Sequence, residues 1–256
     1  SRVHRKFFRR EPPAVEFIGK YPFIDIFEIL IRQHVGLDNV RFLQIGAADG
    51  SSEDPISALV KKHGWSGTLV EPNPVSFKKL QSFYGDCPDL SFRQALISDQ
   101  PGQMEQSFFG VKEEFWNGSH WAEQTSSLDR SVVVDFLNYF STTPEGAELP
   151  EDRAEAISEV KLPTVHVADL VDELGITELD LFVVDTIGHD KRIVKAFPFE
   201  KVSPKIVMFE HYLLSVTEKM EILTFLAERG YTFAKYSVDT IAVKEDDARW
   251  WTVSEW

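Results

Sequence analysis

The sequence predicts an α/β fold built on a doubly wound, mostly parallel sheet. Three observations carry that prediction. Short apolar runs alternate with helical patterns over the first hundred residues. The same alternation returns after Leu179. Two strand-like runs, Tyr231 to Tyr236 and Thr240 to Lys244, then sit close enough to close the sheet as an antiparallel hairpin.

Each element has its own signal. Between Ala14 and Val35, apolar residues at helical spacing (Phe17, Ile18, Phe27, Leu30, Ile31) are interrupted by Pro22, which reads as two short helices ahead of the main domain. Val40 to Ile45 is an apolar run ending at Gly46, the pattern of a strand buried on both faces. Asp54-Pro55 gives an acidic cap and a first-turn proline, opening a helix that Gly64 closes near His63. A second strand, Thr68 to Val70, stops at Glu71, and Pro72 and Pro74 precede a helix from Val75 to about Phe83. Leu90 to Ile97 reads as the third strand. Short connections in this β-α-β-α-β order place a ligand crevice beyond the carboxyl ends of the strands.

From Gly102 to Leu162 the rhythm breaks. Aromatic residues in loop-like surroundings (Phe108, Phe109, Phe115, Trp116, Trp121) precede a helical pattern at Val132 to Phe140, and a charged, proline-containing stretch runs from Thr143 to Glu159. Long interruptions of a compact fold often serve function, so residues 102–162 are expected to form an inserted lid. The division expected is therefore a basic tail and helical extension over 1–39, then one domain over 40–256. Later elements are Leu179 to Val184 (a strand ending at Asp185), a helix from His189 to Phe197, Lys205 to Phe209 (a strand ending at Glu210), and a helix from Val216 to Arg229.

Composition narrows the function. The chain of 256 residues is 43% hydrophobic and 12% aromatic, which are globular values. The net charge is −14. Five Lys or Arg lie in the first ten residues with no acidic residue among them, so the rest carries −19. Such a body repels phosphate backbones, which disfavours nucleic acid as substrate. No apolar run reaches the ~18 residues of a membrane span. The basic start lacks the apolar stretch of an export signal, and a single cysteine, Cys87, forms no internal disulfide. A cytoplasmic protein is expected.

The decisive segment is Phe42-Leu43-Gln44-Ile45-Gly46-Ala47-Ala48-Asp49-Gly50, a strand running into a turn of tiny residues. Small side chains let a ligand approach the backbone. Glu71, 21 residues beyond Gly50 at the tip of the next strand, suits both hydroxyls of a ribose. A dinucleotide fingerprint would have G-x-G-x-x-G and no anion near its pyrophosphate. Here Ala48 takes the middle place and Asp49 brings a carboxylate, which fits the cationic sulfonium and ammonium of S-adenosylmethionine better than NAD.

At these residues the sequence resembles the FkbM-type methyltransferases. The resembling segments are Gln44 to Gly50, Asp54-Pro55, Gly64-Trp65-Ser66-Gly67, Val70-Glu71-Pro72-Asn73-Pro74, Arg93 to Asp99, Ser126-Ser127-Leu128, Asp185-Thr186-Ile187-Gly188-His189-Asp190, Phe209-Glu210-His211 and Asp239-Thr240. The resemblance implies a Rossmann-like class I methyltransferase fold with a seven-stranded sheet and an antiparallel C-terminal hairpin. It implies methyl transfer from S-adenosylmethionine, usually to oxygen, on sugars or polyketide-type natural products. It sets Gly46, Ala48 and Gly50 against the methionine part, Glu71 on the ribose, Pro72 with Gln94 and Ala95 around the adenine, and Asp185 near the methionine end or the reacting groups. One position departs from the family pattern: Ile187 stands where relatives usually carry an acidic residue.

Transfer to a hydroxyl benefits from a base near the methyl carbon. His189 is the first candidate, since a helix N-terminus favours its neutral, proton-accepting form. His211, beside Glu210, is the second, and Asp185 lies at a strand tip in the crevice. His120, in the expected lid, is a further residue within reach of a substrate. The carboxylates Asp185, Asp190 and Asp239 do not amount to a metal signature, and no metal is expected. The rival readings are a non-catalytic cofactor-binding module, motivated by Ile187, an NAD-dependent oxidoreductase, and a nucleic-acid methyltransferase, which the net charge disfavours.

Overall fold

The computed structural model describes residues 26–51, 54–85, 87–116, 120–143 and 149–245. The basic N-terminal segment, the helical pattern at Phe17 and Ile18, and the side chain of His120 lie outside the described residues.

The first half of the main sheet follows the predicted order. Helix α1 (Ile26–His34) precedes β1 (Arg41–Ile45), α2 (Ser57–His63), β2 (Ser66–Val70), α3 (Pro74–Tyr84) and β3 (Leu90–Arg93). Local chemistry sets the helix starts. Asp54 accepts the backbone N–H groups of Ile56 and Ser57 at 2.9 and 2.6 Å, and Asn73 accepts those of Val75 and Ser76 ahead of Pro74.

The expected third strand is split. Its first part is β3, and its second part, β4 (Leu96–Ser98), leaves the main sheet to join another. The middle of the chain is also more regular than its sequence suggested. Phe108 and Phe109 lie in β5 (Glu105–Val111), not in a loop. Short α4 (His120–Gln124) and β6 (Ser126–Ser127) follow, then α5 (Arg130–Phe140), and the end of the charged stretch enters β7 (Ile157–His166). These strands form a second sheet in the order β4-β7-β5-β6. In β7, Pro163 stands opposite Glu105 where pairing with β5 ends and pairing with β4 begins at Thr164, so its missing N–H costs little.

The chain then re-enters the main sheet through α6 (Val167–Glu173), β8 (Leu181–Val184), α7 (Asp190–Ala196), β9 (Ile206–Glu210), α8 (Val216–Ala227), β10 (Tyr231–Tyr236) and β11 (Asp239–Lys244). The strand order is β10-β11-β9-β8-β1-β2-β3, parallel except for β11, which pairs antiparallel with both β9 and β10. Alternate residues of β1 face opposite layers. Leu43 and Ile45 pack with Leu170, Ile193 and Ile222, while Phe42 packs with Phe27, Leu59 and Leu80. A third cluster, including Val111, Val133, Leu137 and Ile157, joins α5 to the second sheet.

Candidate active site

A cavity opens at the carboxyl edge of the main sheet, where the strand order reverses about β1 and β8. The ends of β1, β2, β8 and β9 line it through Gly46, Ala48, Glu71, Asp185 and Glu210. The segment after β3 adds Ala95 to Ile97, and the second sheet with α5 covers it with Phe108, Ser126 and Phe136.

Gly46 is required by the way two strands converge. Its φ is +83°, and a Cβ there would lie 1.7 Å from the carbonyl oxygen of Asp185. Ala48 also adopts a positive φ, 46°, and donates its N–H to Glu71 Oε2 at 2.9 Å, while Asn73 N–H reaches Glu71 Oε1 at 2.7 Å. Glu71 is buried. Burial pushes its carboxyl up to about 7 against these two hydrogen bonds, with Asp185 and Asp49 adding to the rise. Next to it, Gln44 Nε2 donates to Asp54 Oδ2 at 2.8 Å, and burial raises Asp54 to about 6.

On the β8 side, Asp190 is fully buried and accepts from the N–H and hydroxyl of Thr186 and from the N–H of Glu210. Burial first, and Asp185 second, push it up to about 8. Burial likewise raises Glu210 well above the usual carboxylate range, helped by Asp185, Asp190 and Asp239. His189 is buried at the start of α7, with Nε2 3.2 Å from Asp99 Oδ1. Burial holds its pKa below the usual histidine value and Arg192 works in the same direction, while Asp99 opposes both. The direction is the one expected of a helix N-terminus, but its causes are burial and Arg192.

The predicted site residues divide. Gly46, Ala48, Glu71, Pro72, Ala95, Asp185 and His189 line the cavity together. Asp49, Gly50, Gln94 and His211 are not among its lining residues. Asp49 Oδ1 accepts from Ser51 N–H, and a Cβ on Gly50 would press on Leu80, Phe83 and Tyr84 of α3. Gln94 is exposed, and His211 Nδ1 lies 3.0 Å from the hydroxyl of Thr240. Among the expected lid aromatics only Phe108 lines the cavity; Phe109, Phe115, Trp116 and Trp121 pack on the third cluster, with Trp121 stacked on Phe140. Sequence reasoning missed Phe136 and Asp99. The helical period of α5 placed Phe136 on a helix without saying which face meets the cavity. Nothing local marks Asp99, which meets its partner across 90 residues.

A doubly wound sheet with an antiparallel last pair, a tiny-residue turn after β1 and a buried carboxylate at the tip of β2 define a Rossmann-like class I methyltransferase. The FkbM methyltransferase domain matches residues 44–233, and the chain belongs to that family. Its methyl donor is S-adenosylmethionine. The residues present fit that group, since among the described residues five carboxylates and neither Lys nor Arg line the cavity.

Among solved structures, a precorrin-6y C5,15-methyltransferase from Geobacter metallireducens is 11% identical with a TM-score of 0.42, covering 85% of this chain and 87% of its own. An RNA methyltransferase from Salinibacter ruber in complex with S-adenosyl-L-homocysteine is 12% identical with a TM-score of 0.36, covering 90% and 97%. A search of curated proteins finds no match. No helix among the described residues is long and apolar enough to cross a membrane.

Proposed function

We propose that the protein methylates a hydroxyl on an uncharged small molecule, a sugar or a natural product, with His189 as the base. One observation carries this reading: a single cavity is lined both by the turn and carboxylate suited to the donor (Gly46, Ala48, Glu71) and by His189. When bound, S-adenosylmethionine supplies an electrophilic methyl group on its sulfonium. In this reading Glu71 accepts from the ribose hydroxyls through lone pairs left by its two backbone N–H partners. Pro72 and Ala95 flank the adenine, and Asp185 faces the cationic end. Asp49 and Gly50 shape the turn from outside the cavity.

The acceptor would lie between Phe108, Leu128, Phe136 and Ile187, an apolar wall, and the polar edge of His189 and Asp239. His189, whose pKa burial lowers, would accept the hydroxyl proton of the acceptor, while the bound donor would supply the methyl group and leave as its thioether, S-adenosylhomocysteine. Ile187 offers no proton acceptor, and His189 stands on the same wall as a neutral base. The acidic lining favours uncharged acceptors over phosphate-bearing ones.

The test is incubation of the full chain with S-adenosylmethionine and a panel of neutral sugars, phenols, macrolides, amines and RNA, read by mass spectrometry. A methylated hydroxyl compound is expected. His189→Gln should then lower kcat by about 10²–10⁴-fold with affinity for S-adenosylhomocysteine retained. Methylation of amines or RNA alone, or full turnover by His189→Gln, contradicts the reading.

A further inference from the structure

We propose that Asp99 is a positioning residue that decides which nitrogen of His189 accepts the proton: Nε2–H donates to Asp99, and Nδ1 keeps the lone pair. The inference rests on the reading of His189 as the base, and it brings in a part of the chain that the nucleoside-binding turn does not use. Asp99 follows β4, the strand that leaves the main sheet for the second one.

The geometry leaves one arrangement. Asp99 Oδ1 lies 3.2 Å from His189 Nε2, and Asp99 Oδ2 accepts from Gln100 Nε2 at 2.8 Å. Both paired side chains are largely withdrawn from water, with exposures of 9% for His189 and 15% for Asp99. An ionised carboxylate has only lone pairs to offer, so the proton between the two groups belongs to Nε2. A neutral imidazole carries one N–H, and the other nitrogen is then the acceptor. The same logic orders a histidine between a carboxylate and a hydroxyl in hydrolytic triads, where the carboxylate fixes tautomer and orientation without itself taking the proton.

The surrounding charges agree with this assignment. Asp99 sits below its usual carboxylate pKa despite its burial, chiefly through the hydrogen bond from Gln100, so it is ionised at neutral pH. The charged groups acting on the ring are Asp99, from the segment after β4, and Arg192, from α7. They pull in opposite directions. The loop that carries the ring is fastened to the second sheet at another point as well, where Ser127 Oγ donates to the carbonyl of Ile187 at 2.8 Å. The segment between β4 and β7 thus holds His189 by its ring and its loop by the backbone.

The test needs no acceptor. Long-range ¹H–¹⁵N correlation spectra of the full chain labelled at histidine, recorded across pH, report the tautomer and pKa of each ring. His189 is assigned by the signals lost in His189→Gln. At pH 7 the wild-type ring should be the Nε2–H tautomer. In Asp99→Asn the pKa of His189 should fall further, because the one group raising it is gone, and the Nε2–H population should drop. An Nδ1–H ring in the wild type overturns the proposal. So does an unmoved or raised pKa in Asp99→Asn. If Asp99→Asn fails to fold, the wild-type tautomer still decides. Failure of the base reading shows elsewhere, as turnover retained by His189→Gln, and leaves the tautomer result standing.

Discussion

In the proposed function Glu71 carries the contact with the donor's ribose in one side chain. It is buried at a strand tip, lifted to about 7 mainly by burial, and already bonded to the N–H groups of Ala48 and Asn73. Ribose hydroxyls bind the ionised carboxylate best. Affinity for S-adenosylhomocysteine should therefore rise as pH passes upward through about 7. Calorimetric titrations at several pH values check this; affinity that is flat or falls across that range contradicts it. The place of Glu71 beside the first turn was legible in the sequence, because a carboxylate at the second strand tip has a fixed position relative to that turn. The places of Asp49 and Gly50 were not. The turn rotates them out of the cavity, Gly50 at φ +74° against α3. Ile187 is the residue the sequence marked as a departure, and the structure gives it a further peculiarity. It is a β-branched residue at φ +48°, a conformation that costs about 1–2 kcal/mol, held by Ser127 at the edge of the site.

Elements place these side chains, and their junctions are the sensitive points. The β1–turn junction is closed so tightly against β8 that Gly46→Ala should cost several kcal/mol, since its Cβ would overlap the Asp185 carbonyl. Gly64→Ala is the control. Gly64 caps α2 at φ +62° with open space around it, so the loss should be only about 1 kcal/mol. Urea unfolding of the two variants distinguishes them, and equal losses would remove the argument for strand convergence. Strands β1, β2, β8 and β9 were legible because both faces of a central parallel strand are buried, which leaves apolar runs. Strands β5 and β7 were obscured for the opposite reason. β7 alternates only from Glu159 to Leu162 before Pro163 interrupts it, and its Val160 is exposed, so the signal is short and lacks an apolar run. Helix α6 with its C-cap carries Val167, Leu170, Val171 and Leu174 at helical spacing, but its seven residues are too short for that period to stand out beside the strands.

At the scale of the molecule, the site is held at the expense of acid–base balance. Burial raises Asp54 to about 6, Glu71 to about 7 and Asp190 to about 8, and lifts Glu210 as well. Between the ordinary carboxylate pKa of about 4 and these values, the folded state binds more protons than the unfolded chain. Stability must therefore fall as pH rises through that window. Asp99, Asp129 and Asp180 are shifted the other way, and their contribution is lost as pH drops below about 4. The melting temperature of the free protein should thus peak at about pH 4 and decline toward pH 8, the raised carboxyls outweighing the opposite pull of His189 and His211; a rise across that interval would contradict the buried-carboxylate account. Ligand binding should offset part of the decline, because cationic groups stabilise the ionised forms.

In the proposed function this cavity holds the donor nucleoside through Glu71. Isothermal titration of the full chain with S-adenosylhomocysteine and, separately, with NAD tests it most directly, repeated on Glu71→Ala. Loss of a hydrogen-bonded charge predicts S-adenosylhomocysteine binding weakened by about 10- to 100-fold in the variant, with no heat from NAD in either protein. Binding of NAD, or S-adenosylhomocysteine affinity unchanged in Glu71→Ala, would contradict it.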